Sequence, residues 1–124
     1  MIVLDTSVLI RFFTRDDEAK AKKVKDLLES KQDLLLIDAV LLELVFTLMR
    51  VYKQSKTQVL KILKFLLSRT NVQVNSEIRK AVKIYEDMNV SITDSLIVVY
   101  GEGSKIASFD EKLLKIRGVK PRWL

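Results

Sequence analysis

The sequence predicts an α/β fold, a mostly parallel sheet covered by helices. Short apolar β-branched runs are separated by longer stretches with apolar residues at helical spacing, and short runs end directly in Asp5 and Asp110. Strands that alternate with helices need crossover connections, and crossovers place helices on the faces of a parallel sheet.

Taken in order, Ile2-Val3-Leu4 reads as a buried strand that meets a polar turn at Asp5-Thr6-Ser7. Asp16 and Asp17 can cap a helix in which Ala21, Val24, Leu27 and Leu28 share one face, with lysines on the other. Leu34-Leu35-Leu36-Ile37 is a second strand, and Asp38 is suited to cap a long apolar helix reaching about Tyr52. Ser55 and Gln58 have capping-box spacing ahead of a broad apolar face from Val59 to Leu67. Val72-Gln73-Val74 is a third strand candidate. Ser76 begins a helix with Ile78, Ala81, Val82 and Tyr85 inward, and a shorter one opens near Thr93 and stops at Gly101 to Gly103. Lys105 to Phe109 and an edge run from Val119 to Trp123 complete the strands.

With 124 residues, three glycines, one proline and no linker-like stretch, the expectation is a single domain over 1–124. The chain has no cysteine and no histidine. Disulfides, thiolate or imidazole metal sites, cysteine nucleophiles and Ser-His-Asp chemistry are therefore excluded, and catalysis must rest on carboxylates, hydroxyls, lysine or arginine. The amino terminus lacks the pattern of a signal peptide and no apolar run approaches a membrane span, so a cytoplasmic protein is expected. A formal charge of +6 favours a polyanionic partner such as nucleic acid, although lysines such as Lys20, Lys22, Lys23 and Lys25 equally suit a solvated helix face.

Four carboxylates stand in apolar surroundings. Asp5 and Asp110 follow strand runs, where an aspartate is equally at home as a turn or helix cap. Asp94 sits in the first turn of a strongly apolar helix, which also suits the helix dipole. Glu43 is harder to dismiss. Val40 to Met49 holds eight apolar residues in ten, so the helix reads as largely buried and Glu43 as at least partly so, in need of a cation or a proton. The other reading is a narrow exposed seam through Thr47 and Arg50. Carboxylates gathered at one end of a sheet repel unless cations neutralise them, and all-oxygen donors match hard ions such as Mg²⁺ or Mn²⁺.

The segments Val3-Leu4-Asp5-Thr6-Ser7-Val8-Leu9-Ile10, Leu41-Leu42-Glu43-Leu44, Ile92-Thr93-Asp94-Ser95-Leu96-Ile97 and Ile106 to Leu113 resemble, in order and spacing, a PIN-domain ribonuclease of the VapC type, the toxin of bacterial and archaeal toxin–antitoxin pairs. The resemblance spans essentially the whole chain. It implies a three-layer fold with a central parallel sheet of about five strands in the order 3-2-1-4-5. It makes Asp5, Glu43, Asp94 and Asp110 the acidic quartet that holds Mg²⁺ or Mn²⁺ for phosphodiester hydrolysis, leaving 5′-phosphate and 3′-hydroxyl ends. Thr6, Ser7 and Ser108 would be supporting hydrogen bonders. Arg11 and Arg15, close after Asp5, are the expected grips on the RNA backbone. The resemblance also implies a homodimer and a cognate antitoxin protein. Asp38 departs from the family's usual Ser or Thr, and no further acid follows Asp94 within its helix.

A haloacid-dehalogenase-like phosphatase also opens with a strand and an aspartate, but it wants a second aspartate where Ser7 stands. A receiver-like Mg²⁺-binding module wants paired acids closer to the first than Asp16-Asp17. A non-catalytic RNA-binding module would not need the full quartet.

Overall fold

A computed structural model describes residues 1–123; Leu124, the last residue of the expected domain, lies outside them. The element order is β1 (Ile2–Val3), α1 (Thr6–Thr14), α2 (Glu18–Leu28), β2 (Leu34–Leu35), α3 (Asp38–Arg50), α4 (Lys56–Ser68), β3 (Val72–Gln73), α5 (Ser76–Asp87), α6 (Ile92–Tyr100), β4 (Lys105–Ile106), α7 (Glu111–Leu114) and β5 (Lys120–Pro121). All pairings among the described strands are parallel, and the α/β class is as expected. The chain divides into two units, Met1–Asn75 and Ser76–Leu124.

In the first unit the strands run β1-β2-β3, with Ile2 paired to Leu34 and Leu34 to Val72. The Leu4 N–H donates to the Leu35 carbonyl at 2.9 Å, and Leu36 to Gln73 at 3.0 Å. The buried first strand needs correction. Ile2 and Val3 are 37% and 60% exposed and only Leu4, at 1%, points into the core, because β1 is an edge of this three-stranded sheet. The core beneath the sheet is leucine-rich, with Leu9, Leu28, Leu41, Leu48 and Leu63 fully buried.

The expected polar turn after β1 is instead the start of α1. The Asp5 side chain accepts from the Ser7 N–H as an N-cap, and the helix runs until Arg15 adopts a left-handed φ of 53°. Asp17, rather than Asp16, caps α2, accepting from the Lys20 N–H. Ile37 occupies the cap position of α3, and Asp38 is its first helical residue, with its carboxylate accepting from the Asn75 amide at 2.9 Å. The capping box of α4 forms in full: Ser55 accepts from the Gln58 N–H and Gln58 from the Ser55 N–H. Of the apolar face on α4, Val59, Leu63 and Leu66 are core; Phe65 is partly exposed and packs against the rings of Phe12 and Phe13.

In the second unit α5 lies against α6, and Ile106, Leu113 and Ile116 form a small core joined by Met88, Val90, Val98 and Val119. Burial pushes the Tyr85 phenol up from its ordinary pKa. Ser91 caps α6 by accepting from the Asp94 N–H, so the helix starts at Ile92, one residue before the expected start near Thr93. At its end, Gly101 is right-handed and the left-handed residue is Gly103, φ 75°. Gly101 is needed for space instead, since a Cβ there would come within 2.6 Å of the Ile106 side chain. β4 and β5 pair with Ile106 opposite Pro121, and the Arg122 N–H extends the pairing to the Ile106 carbonyl at 2.8 Å. Among the described residues, no helix is long and apolar enough to cross a membrane.

Candidate active site

Asp5 leaves the sheet at the carboxyl end of β1, where ligands gather in open α/β folds. Its Oδ2 accepts from the Ser7 hydroxyl at 2.5 Å and from the Ser7 N–H at 3.1 Å. The Ser7 hydroxyl first, then the Ser7 amide, hold the Asp5 carboxyl below the usual carboxylate range. It is therefore an anion at neutral pH. Ser7, an expected supporting residue, makes both of these bonds to Asp5. Thr6, also expected there, is buried beside it.

Glu43 reaches the same place from α3. Asp5 and Glu43 line one cavity of about 280 Å³ together with Thr6, Ser7, Ile10, Arg11, Thr47 and Tyr52. The expectation of a buried Glu43 is not met: it is exposed, on a face of α3 shared with Phe46, Met49 and Arg50. The apolar residues around it do not all turn inward. Phe46 is 61% exposed, with the Arg50 guanidinium 5.5 Å from its ring centroid.

Arg11 lines the same cavity. It is also tethered: its Nη1 donates to Asp16 Oδ2 at 2.9 Å, and the Tyr52 hydroxyl donates to the same oxygen at 3.3 Å. Asp16 and Tyr52 were not foreseen in this part. The double aspartate of residues 16 and 17 reads only as a cap, and Tyr52 carries no local signal. Arg15 lies elsewhere, over the Phe12 ring at 5.8 Å and 3.5 Å from Glu18, because the left-handed turn at that residue directs it toward α2.

The other two acids belong to the second unit. Asp94 is half-buried in the first turn of α6, beside the fully buried Ser95, whose hydroxyl donates to the Ser91 carbonyl. Asp110 is exposed and caps α7, accepting from the Lys112 and Leu113 N–H groups at 3.0 and 3.3 Å. Its own N–H donates to the Ser108 hydroxyl at 3.0 Å, which gives Ser108 a supporting contact. Among the described residues, no three acidic side chains form a group that could hold a metal ion. The paired donors, Asp5 and Glu43 with hydroxyls from Thr6, Ser7 and Thr47, are all oxygen, and in kind they fit a hard divalent cation.

A family model for the PIN domain matches residues 2–119. The chain belongs to the PIN-domain family. No curated protein matches it. PIN domains are generally metal-dependent nucleases and typically use divalent ions, which supports a nuclease hydrolase here.

The tether of Arg11 in this PIN domain has a consequence for pH. The Arg11 hydrogen bond holds the Asp16 carboxyl below its usual range, and Asp16 in turn raises the pKa of Arg11. A carboxyl with a depressed folded pKa contributes stability above its unfolded value, about 3.9, and that contribution is lost as pH falls through the folded value. Urea-unfolding midpoints should stay level from pH 7 to 5 and fall below about pH 4. Asp16→Asn should lower the midpoint at pH 7 and flatten the acid limb; an acid limb identical to wild type would dismiss the tether as a stabilising contact.

Proposed function

We propose that this PIN domain is a metal-dependent endoribonuclease that hydrolyses RNA phosphodiester bonds and serves as the VapC-type toxin of a toxin–antitoxin pair. The observation that carries the reading is the pairing of an ionised Asp5 with Glu43 on one polar cavity in a chain of this family. In this reading residues 1–124 act as a single domain whose strands follow the order 3-2-1-4-5, and Asp94 and Asp110 complete the acidic quartet. Asp5, Glu43, Asp94 and Asp110 would hold Mg²⁺ or Mn²⁺. When bound, such an ion supplies Lewis acidity toward water and a phosphate oxygen.

The chain's own residues do the rest. Ser7 keeps Asp5 ionised and fixes its carboxylate; Ser108 does the corresponding work on the backbone at Asp110. Arg11, steadied by Asp16 and Tyr52, offers a charged edge to the RNA backbone at the cavity wall, with Arg15 a further contact along the strand. No histidine is needed. The exposed apolar side chains Phe46, Met49 and Val51 support a protein interface, either of a homodimer or with a helix of a cognate antitoxin. A small DNA-binding protein encoded just upstream would distinguish a toxin from a housekeeping nuclease.

Incubation of labelled RNA with the purified protein tests the reading. Cleavage is expected with Mg²⁺ or Mn²⁺, to end in EDTA, to leave 5′-phosphates, and to be lost in Asp94→Asn. Cleavage that persisted in EDTA or in that variant would show the proposed chemistry to be wrong.

A further inference from the structure

The side chain next to Asp110 is out of keeping with its surroundings. Phe109 is 89% exposed, although each of Phe12, Phe13 and Phe65 packs on the others. Among the described residues its one ring contact is with Trp123, itself 50% exposed: the centroids are 5.0 Å apart and the planes differ by 6°. The register explains the meeting. Parallel pairing of β4 with β5, extended by Arg122 to Ile106, brings the end of the second strand alongside the segment that leads into Asp110.

The setting is cationic. Residues 105–123 contain Lys105, Lys112, Lys115, Arg117, Lys120 and Arg122 against only Asp110 and Glu111, and all six cations are exposed. Exposed rings on a segment with a surplus of exposed cations are elements from which single-stranded nucleic acid is bound, since any base offers a π-face and cations follow the phosphates. A protein partner would want a broader continuous apolar patch than two rings.

We propose that Phe109 and Trp123 form a stacking platform for an unpaired nucleobase of RNA, seated beside Asp110. The platform deepens the nuclease reading and rests on it for the role of Asp110. It selects single strands, because a base inside a duplex has both faces covered by its stacked neighbours. It favours no base strongly, with some preference for the larger purine surface.

Trp123 is the only tryptophan, so its emission reports the platform directly. The full chain is titrated in EDTA with a single-stranded RNA decamer, with the same strand annealed to its complement, and with polyphosphate as a probe of charge alone. Saturable quenching is expected with the single strand and little with the other two. Phe109→Ala should weaken decamer binding about tenfold and raise KM for cleavage more than it lowers kcat, while Phe109→Tyr restores both. Phe109 is exposed, so these variants should keep the wild-type thermal midpoint, which checks their folding. Equal quenching by polyphosphate, undiminished decamer affinity in Phe109→Ala, or emission that changes with protein concentration alone, as if a second copy covered the rings, would each overturn the platform. Quenching by the decamer without any metal-dependent cleavage would instead uphold the platform and remove the nuclease reading.

Discussion

Asp5→Asn should reduce metal-dependent RNA cleavage by at least about a hundredfold, the scale on which metal-site partners matter, while leaving the thermal midpoint close to wild type. The two halves of that result come from two jobs done by one side chain. Asp5 caps α1 through the Ser7 N–H, and asparagine caps as well as aspartate because its carbonyl oxygen accepts the same bond. What asparagine lacks is the charge that Ser7 keeps ionised at the cavity. Asp5→Ala should lose both functions, with about 1 kcal/mol of stability gone along with activity. Glu43→Gln is the complementary variant: Glu43 is exposed on α3 and caps nothing, so cleavage should fall without a shift in midpoint. Circular dichroism melts run beside the cleavage assay separate the effects. Wild-type rates in Asp5→Asn would remove Asp5 from the chemistry and leave it a helix cap.

That double role is why the sequence alone leaves Asp5 ambiguous. Asp-Thr-Ser is the signature of a turn and of a helix cap, and the apolar run that follows, Val8-Leu9-Ile10 with Phe12-Phe13, is too dense for its period to declare a helix. Capping boxes are legible because their parts lie within four residues, as Ser55 and Gln58 do. The exposure of Glu43 is not legible for the opposite reason: an apolar helix hides which of its sides meets solvent, and Phe46 and Met49 are exposed beside Glu43 against expectation. The meeting of Asp5 with Glu43 depends on parallel pairing of β1 with β2, a long-range event with no local mark. The acid pattern of the family could nominate both residues; only the fold gives them a common cavity, lines it with Thr47 and Tyr52, and sets Asp16 against Arg11 where the sequence suggests a helix cap.

The pairing of β2 depends in turn on Asn71, and Asn71→Asp should cost about 3 kcal/mol, on the scale of three hydrogen bonds at roughly 1 kcal/mol each. The Asn71 Nδ2 lies 3.2 Å from the Leu28 carbonyl and 3.1 Å from those of Ser30 and Gln32, and Arg69 adds a 2.9 Å bond to Leu28. These carbonyls belong to the end of α2 and the loop that follows, where the helix has no further donors to offer. Two amide hydrogens serve three acceptors, so one is shared, and a flipped amide would set oxygen against oxygen. The Asn71 carbonyl meanwhile accepts from the Leu34 N–H at 2.8 Å, tying the same residue to β2. An aspartate fills the same space with no donor and a negative charge facing three carbonyl oxygens. The thermal midpoint should drop by on the order of 10 °C at pH 7. Because the introduced carboxyl is disfavoured as an anion, its folded pKa rises above the unfolded one; the deficit is largest at neutral pH, narrows as pH falls through the raised folded pKa, and is smallest below about pH 4, where the carboxyl carries a proton it can donate in both states. Asn71→Ala separates the contributions. It removes the donors without adding charge, so its deficit should be smaller than that of Asn71→Asp at pH 7 and should not narrow on acidification beyond wild type. Equal, pH-independent losses in both variants would mean that the missing donors, and not repulsion, set the whole effect.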